Sequence, residues 1–176
     1  MNEGRLFLSP EWVHEVTRVV QSARGSDANF RKLTQGFSLS LLYVITELPQ
    51  SLRELHNGAQ LAILVQLDKG TVRKILLGTG TPEDKVNFTV SSSYSLAKRI
   101  FIGEMNPAVA FIDRQLKVDP LREVYRRPRF TARAITAGNA LLKVARHVLT
   151  VFPQDDSVAE DDRLAGIATR ERAEGL

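Results

Sequence analysis

Cysteine is absent from this 176-residue chain, which excludes disulfide bracing, thiol catalysis, iron–sulfur clusters and cysteine-ligated zinc. Histidine is nearly as scarce. His14, His56 (two residues after Glu54) and His147 lie far apart, and none has the three or four convergent ligands that a metal requires. No metal and no cofactor is therefore expected. Nor is there an unbroken apolar run of the roughly 20 residues that a membrane-spanning helix needs. The start, "MNEGRLFLSPEW", lacks the apolar core of a secretory signal, and the end, "ERAEGL", is not a peroxisomal address, so a cytoplasmic location is the expectation.

What is present is ordinary globular material, 43% hydrophobic and 25% charged, long enough for one domain that buries its own core. The net charge of +4 is unevenly spread. From position 154 onward seven acids face three arginines, so the body carries about +8. Residues 1–153 are read as a single domain, and 154–176 as a polar tail without large apolar anchors, expected to be disordered.

Hydrophobic periodicity organises the body. "SPEWVHEVTRVVQSA" offers Ser9 as N-cap, Pro10 at the first helical position, and an apolar stripe of Trp12, Val13, Val16, Val19, Val20 and Ala23, predicting a helix over 9–23. The sheet and further helices are expected within 37–150. A strand starts near Phe37, with Leu39, Leu41, Tyr43 and Ile45 alternating. "PQSLRELHNG" reads as a loop ending in an Asn57-Gly58 turn. "AQLAILVQLDKGTVRKILLG" reads as a hairpin turning at Asp68-Lys69-Gly70. "KVNFTVS" is a strand with Val86, Phe88 and Val90 on one side. Two helices follow, the second started by Asn106-Pro107, then the short strand "QLKV", an Arg-rich link and a long helix with Ala134, Ala137, Gly138, Leu141, Ala145 and Val148 inward. The fold class expected is α+β, a five-stranded, largely antiparallel sheet with helices covering one side.

Chemical motifs are few. "LGTGTPED" resembles a phosphate loop, but Glu83 stands where a glycine should, no Gly-Lys-Ser/Thr follows, and a strand rather than a helix comes next. The run Ser91, Ser92, Ser93 and Ser95 has no nucleophile elbow, and Ser92 or Ser93 is better placed to cap a helix. The aromatic residues sit mostly at core-facing positions rather than among basic ones, so no nucleic-acid partner is expected. No catalytic constellation emerges.

The informative stretch is "GEMNPAVAFIDRQLKV", residues Gly103 to Val118. Gly103, the trio Met105-Asn106-Pro107, the pair Ala110-Phe111 and Leu116-Lys117-Val118 resemble the signature of the sterol carrier protein type two family. There a helix ends in Gly, Met-Asn-Pro or Leu-Asn-Pro starts a short helix, Ala-Phe follows, and a Lys-rich strand closes the motif. "DKVNFTVSSSYSLAKRIFIG" is similar to the upstream strand-to-helix unit. The resemblance covers roughly residues 37–118. Asp113-Arg114 and Asp119-Pro120 depart from it, standing where the family favours glycine.

The resemblance implies an apolar cavity between sheet and helices that takes a fatty acid, acyl-coenzyme A, phospholipid or sterol without catalysis. Its candidate lining is Leu39, Leu41, Tyr43, Ile63, Val65, Phe88, Val90, Ile100, Phe101, Met105, Ala108, Phe111, Ile112 and Leu141. Periodicity does not distinguish a filled core from a hollow one, so the same residues would also serve as packing. Arg126, Arg127, Arg129 and Arg133 are candidates for contact with lipid headgroups, an anionic membrane surface or an acidic partner protein. The alternative function is an interaction or accessory module whose apolar groove docks a partner protein. An enzyme acting on a lipid or thioester is a third reading, for which the sequence offers no catalytic residue. The oligomeric state is not encoded in these patterns.

Overall fold

The computed structural model describes residues 3–78 and 85–153. The acidic tail and most of the "GTGTPED" loop, with the expectations attached to them, lie outside the described residues.

Helix α1 spans Pro10–Ser26 and begins as its sequence dictates: the Ser9 hydroxyl accepts the Trp12 amide at 3.1 Å. It buries Trp12, Val13, Val16, Val20 and Ala23. Before it, Arg5–Leu6 form a two-residue strand, β1. Asp27 ends α1 and starts α2 (Ala28–Thr34), its carboxylate accepting the Phe30 amide at 2.9 Å.

Five strands form the main sheet: β2 (Leu39–Thr46), β3 (Leu61–Asp68), β4 (Thr71–Gly78), β5 (Phe88–Ser93) and β6 (Lys117–Asp119), in the order β4-β3-β2-β5-β6. The pairs β3/β4, β2/β3 and β5/β6 are antiparallel, and β2/β5 is parallel. Register aligns Tyr43 with Ile63 and Val90, and Leu41 with Val65 and Phe88, so these six side chains tile one face. The β3–β4 turn has both Lys69 and Gly70 at positive φ, 47° and 83°, as a two-residue hairpin of matching twist requires. Gly70 is doubly constrained, because a Cβ there would stand 2.7 Å from the Thr34 carbonyl oxygen.

Ser93 then caps α4 (Tyr94–Ile102), which stops at Gly103 in the left-handed conformation. Asn106 caps α5 (Pro107–Ile112) through its carboxamide oxygen, 2.8 Å from the Ala108 amide. A short helix, α6 (Leu121–Arg126), follows β6 in what reads from the sequence as an Arg-rich link. The long helix α7 (Pro128–Ala145) lies beside α1 and α2 and is followed by the strand β7 (Thr150–Val151), which pairs in parallel with β1. Helices α1, α4, α5 and α7 cover the inner face of the sheet. On the outer face Leu42, Ala62 and Leu64 form a small separate cluster.

Several expectations fail locally. "PQSLRELHNG" is not a loop but a helix, α3 (Gln50–His56), with Leu52 fully buried and Asn57 at φ 51° as its left-handed cap. The Asn-Gly pair ends a helix there rather than making a free turn, and seven residues are too few for periodicity to reveal it. Val86 precedes β5 and packs with Leu42, Ala62 and Leu64, on the face opposite Phe88 and Val90. Val148, expected inward on the last helix, is buried beyond its end.

Candidate ligand cavity

The inner face of the sheet and the covering helices do not close on each other. Between them lies a cavity of about 290 Å³. Its floor is the tile of Leu41, Tyr43, Ile63, Val65, Phe88 and Val90, flanked by Leu39, Ile45 and Ile75. Its roof comes from Trp12, Val16 and Val20 of α1, Ala97, Ile100 and Phe101 of α4, Pro107, Ala108 and Phe111 of α5, and a face of α7 running from Thr131 to Ala145.

Aromatic rings pack into the walls and behind them. Among the lining residues, Phe7 packs edge-on against Trp12 at 4.9 Å between centroids and lies 5.1 Å from Phe101. Phe130 lies 5.2 Å from Phe37 and 5.9 Å from Phe88, which lines the cavity.

Among the described residues, no charged side chain lines the cavity. Its few polar atoms are mostly engaged with the protein. Trp12 donates its indole N–H to Thr150 Oγ1 at 2.9 Å, and Thr131 donates to the Val124 carbonyl at 3.0 Å. The Tyr43 hydroxyl meets Ser92 Oγ at 2.6 Å. Burial in this apolar wall pushes the Tyr43 phenol up to about 12, against the smaller opposing effect of its bond to Ser92. Among the described residues no group of three or more His, Asp or Glu side chains is placed to hold a metal ion. The walls offer shape and apolar contact, and no catalytic constellation.

Of the fourteen side chains named from the sequence, twelve line this cavity: Leu39, Leu41, Tyr43, Ile63, Val65, Phe88, Val90, Ile100, Phe101, Ala108, Phe111 and Leu141. Two do not. Met105 packs against the neighbouring cluster of Leu96, Ile100, Ala110 and Leu116. Ile112 is 74% exposed. On the short helix α5, Ala110 and Phe111 point toward the protein, and the roughly 100° turn per residue carries Ile112 outward. Sequence reasoning misses the wall built by Phe7, Leu8, Trp12, Val16 and Val20. The α1 stripe is visible in the sequence, but its partner is not.

The four arginines named from the sequence are all exposed. Arg127 lies over the Phe130 ring at 4.3 Å. Arg133 lies over Phe37 at 4.7 Å and donates to the Gln35 carbonyl at 2.8 Å. Arg126 stands 3.8 Å from the Glu123 carboxylate. Arg146, read from the sequence with Lys143 and His147 as a basic edge of the long helix, donates instead to the carbonyls of Phe101 and Ile100 and fixes the end of α4 to α7.

With this geometry, comparison with solved structures is informative. The chain is similar to a conserved hypothetical protein from Thermus thermophilus, described as a possible sterol carrier protein, at 18% identity and a TM-score of 0.62, covering 88% of this chain and 99% of that one. It is similar in the same degree to a crystal structure of sterol carrier protein 2, at 18% identity and a TM-score of 0.61, covering 81% of this chain and 98% of that one. The fold is that of sterol carrier protein 2. No protein-family model matches the sequence, and no curated protein does. The likeness is therefore one of fold, and what the cavity holds rests on its own chemistry.

Proposed function

We propose that this protein binds or carries a hydrophobic ligand bearing an acyl chain, without catalysing a reaction on it. The observation that carries this reading is the cavity of about 290 Å³, with no charged side chain among its described lining residues and walls built mostly of aliphatic and aromatic side chains. Its size lies near the lower end of the roughly 300–1,000 Å³ of small-molecule sites, which favours one chain over a bulky lipid. Each methylene buried gains ~0.8 kcal/mol, so a sixteen-carbon chain gains roughly 12 kcal/mol gross. Association costs at least about 4 kcal/mol, leaving micromolar binding within reach. The names borne by the similar structures agree with this reading.

Native mass spectrometry of the freshly purified protein tests it, followed by titration of the delipidated protein with a fluorescent fatty acid. A co-purified lipid and saturable micromolar binding are expected. An empty cavity, no fatty-acid binding and a partner protein captured in its place would replace the carrier with an interaction module.

A further inference from the structure

The cavity reaches the surface at one identifiable place. Of the described residues that line it, Ile135 and Asn139 alone are exposed, and both belong to the middle of α7. Across from them stand Pro107 and Ala108 of α5, both half-buried. Between Ile135 and Asn139 lies Gly138, well inside an eighteen-residue helix. Glycine is among the poorest residues for a helix interior. Nothing in the backbone asks for it, since its φ is not positive. Nor does any neighbour, since a Cβ built there meets no atom within 4 Å. A glycine that packing does not require, beside a cavity at the point where it opens, leaves a gap in the wall.

We propose that an amphiphile enters apolar end first between α5 and α7, across the gap at Gly138, and leaves its polar end in water beside Ile135 and Asn139. The second half follows from the lining. A carboxylate or phosphate drawn inside would lose its hydration with no Lys, Arg or His among the described lining residues to replace it. The Tyr43–Ser92 pair offers hydroxyls but no positive charge. The chain is thus sorted by polarity, with carbon inside and charge at the mouth. The inference rests on the lipid-binding reading and deepens it. It assigns Gly138 as the residue that keeps the entrance open, and single-chain amphiphiles as the ligand class.

Four proteins and three measurements test it. Stopped-flow uptake of a fluorescent fatty acid is compared among the parent, Gly138→Ala and Gly138→Leu. Gly138→Ala meets no protein atom and improves the helix, so its melting temperature should rise while its methyl partly fills the gap and slows uptake by about two- to fivefold. Gly138→Leu should slow uptake by about tenfold or more, a barrier increase of ~1.4 kcal/mol. Ile135→Trp blocks the same mouth from the exposed side and serves if the leucine variant does not fold. Separately, palmitate labelled with carbon-13 at the carboxyl is titrated in complex with the parent protein. A solvated headgroup titrates near the ordinary carboxylate range of about 4 to 5. A midpoint raised by about two units or more would place the carboxyl inside, and would overturn the orientation while leaving fatty-acid binding intact. Uptake by Gly138→Leu and Ile135→Trp at the parent rate would overturn the entrance and likewise spare the carrier reading. No uptake by the parent would end both.

Discussion

Tyr43 sets a buried phenol in an apolar wall, and its raised pKa is a statement about stability. Folded, it titrates at about 12, against an ordinary value near 10. Below pH 10 the phenol is protonated in both states and the full contribution is present. Between pH 10 and 12 the unfolded chain ionises first, so stability falls by about 2 to 3 kcal/mol across that window. Denaturant midpoints of Tyr43→Phe should lose this component of the alkaline decline, while neutral stability drops by only about 0.5–1.5 kcal/mol for the lost hydrogen bond. Phe111 makes a different test. Truncated to Ala beside an open cavity, it leaves no fully closed void, and the loss should be smaller than the ~3–5 kcal/mol of a packed Phe. Fatty-acid affinity should weaken at the same time, and a full core penalty with unchanged affinity would take Phe111 out of the site. Arg114 occupies the left-handed region at φ 59°, where the resembled family often has glycine. Arg114→Gly should accordingly be neutral or stabilising in thermal unfolding, because it removes about 1–2 kcal/mol of backbone strain at the cost of a more flexible unfolded chain.

Among the elements, the junction of α4 and α7 depends on Arg146. Its guanidinium satisfies the Phe101 carbonyl and adds a second bond to the Ile100 carbonyl, which already accepts the Gly103 amide, while Gly103, at φ 88°, turns the chain away close to that same group. Arg146→Met keeps most of the stem and removes the donors, and should cost about 1–2 kcal/mol in chemical denaturation. Amide exchange should rise first at the end of α4. Elements of this kind divide in how much the sequence discloses. The N-caps Ser9, Ser93 and Asn106 and the hairpin at Lys69-Gly70 are local chemistry, and they are legible. So is the inner face of the sheet, because alternation at Leu39, Leu41 and Tyr43 fixes which side chains share it. α3 and α6, of seven and six residues, are too short for their periodicity to register. Ile112 is misplaced by sequence reasoning because one step along a six-residue helix decides inside from outside. The α1 wall goes unassigned because no local pattern says that Trp12 and Val16 face a hollow rather than a neighbour.

For the molecule as a whole, an anionic membrane is the partner proposed for the exposed arginines of α6 and α7. Binding to anionic vesicles should fall steeply as salt rises past the physiological range, and replacing Arg126, Arg127 and Arg129 with Gln should remove that dependence. Equal binding to neutral vesicles would refute the electrostatic attraction. Arg127 also covers Phe130, so the triple variant should lose some thermal stability along with its charge. The two-stranded pairing of Arg5–Leu6 with Thr150–Val151 carries a consequence for how the protein is made. During synthesis Phe7, Leu8 and Trp12 emerge well before the strand beside them and the Thr150 hydroxyl that receives the Trp12 N–H, which lies 138 residues further along. Until the ribosome has released position 150, that wall of the hollow is unfinished and its aromatic residues stay open to chaperones. Translation must pass that point before the vessel can be closed, and a nascent chain paused short of it is an open one.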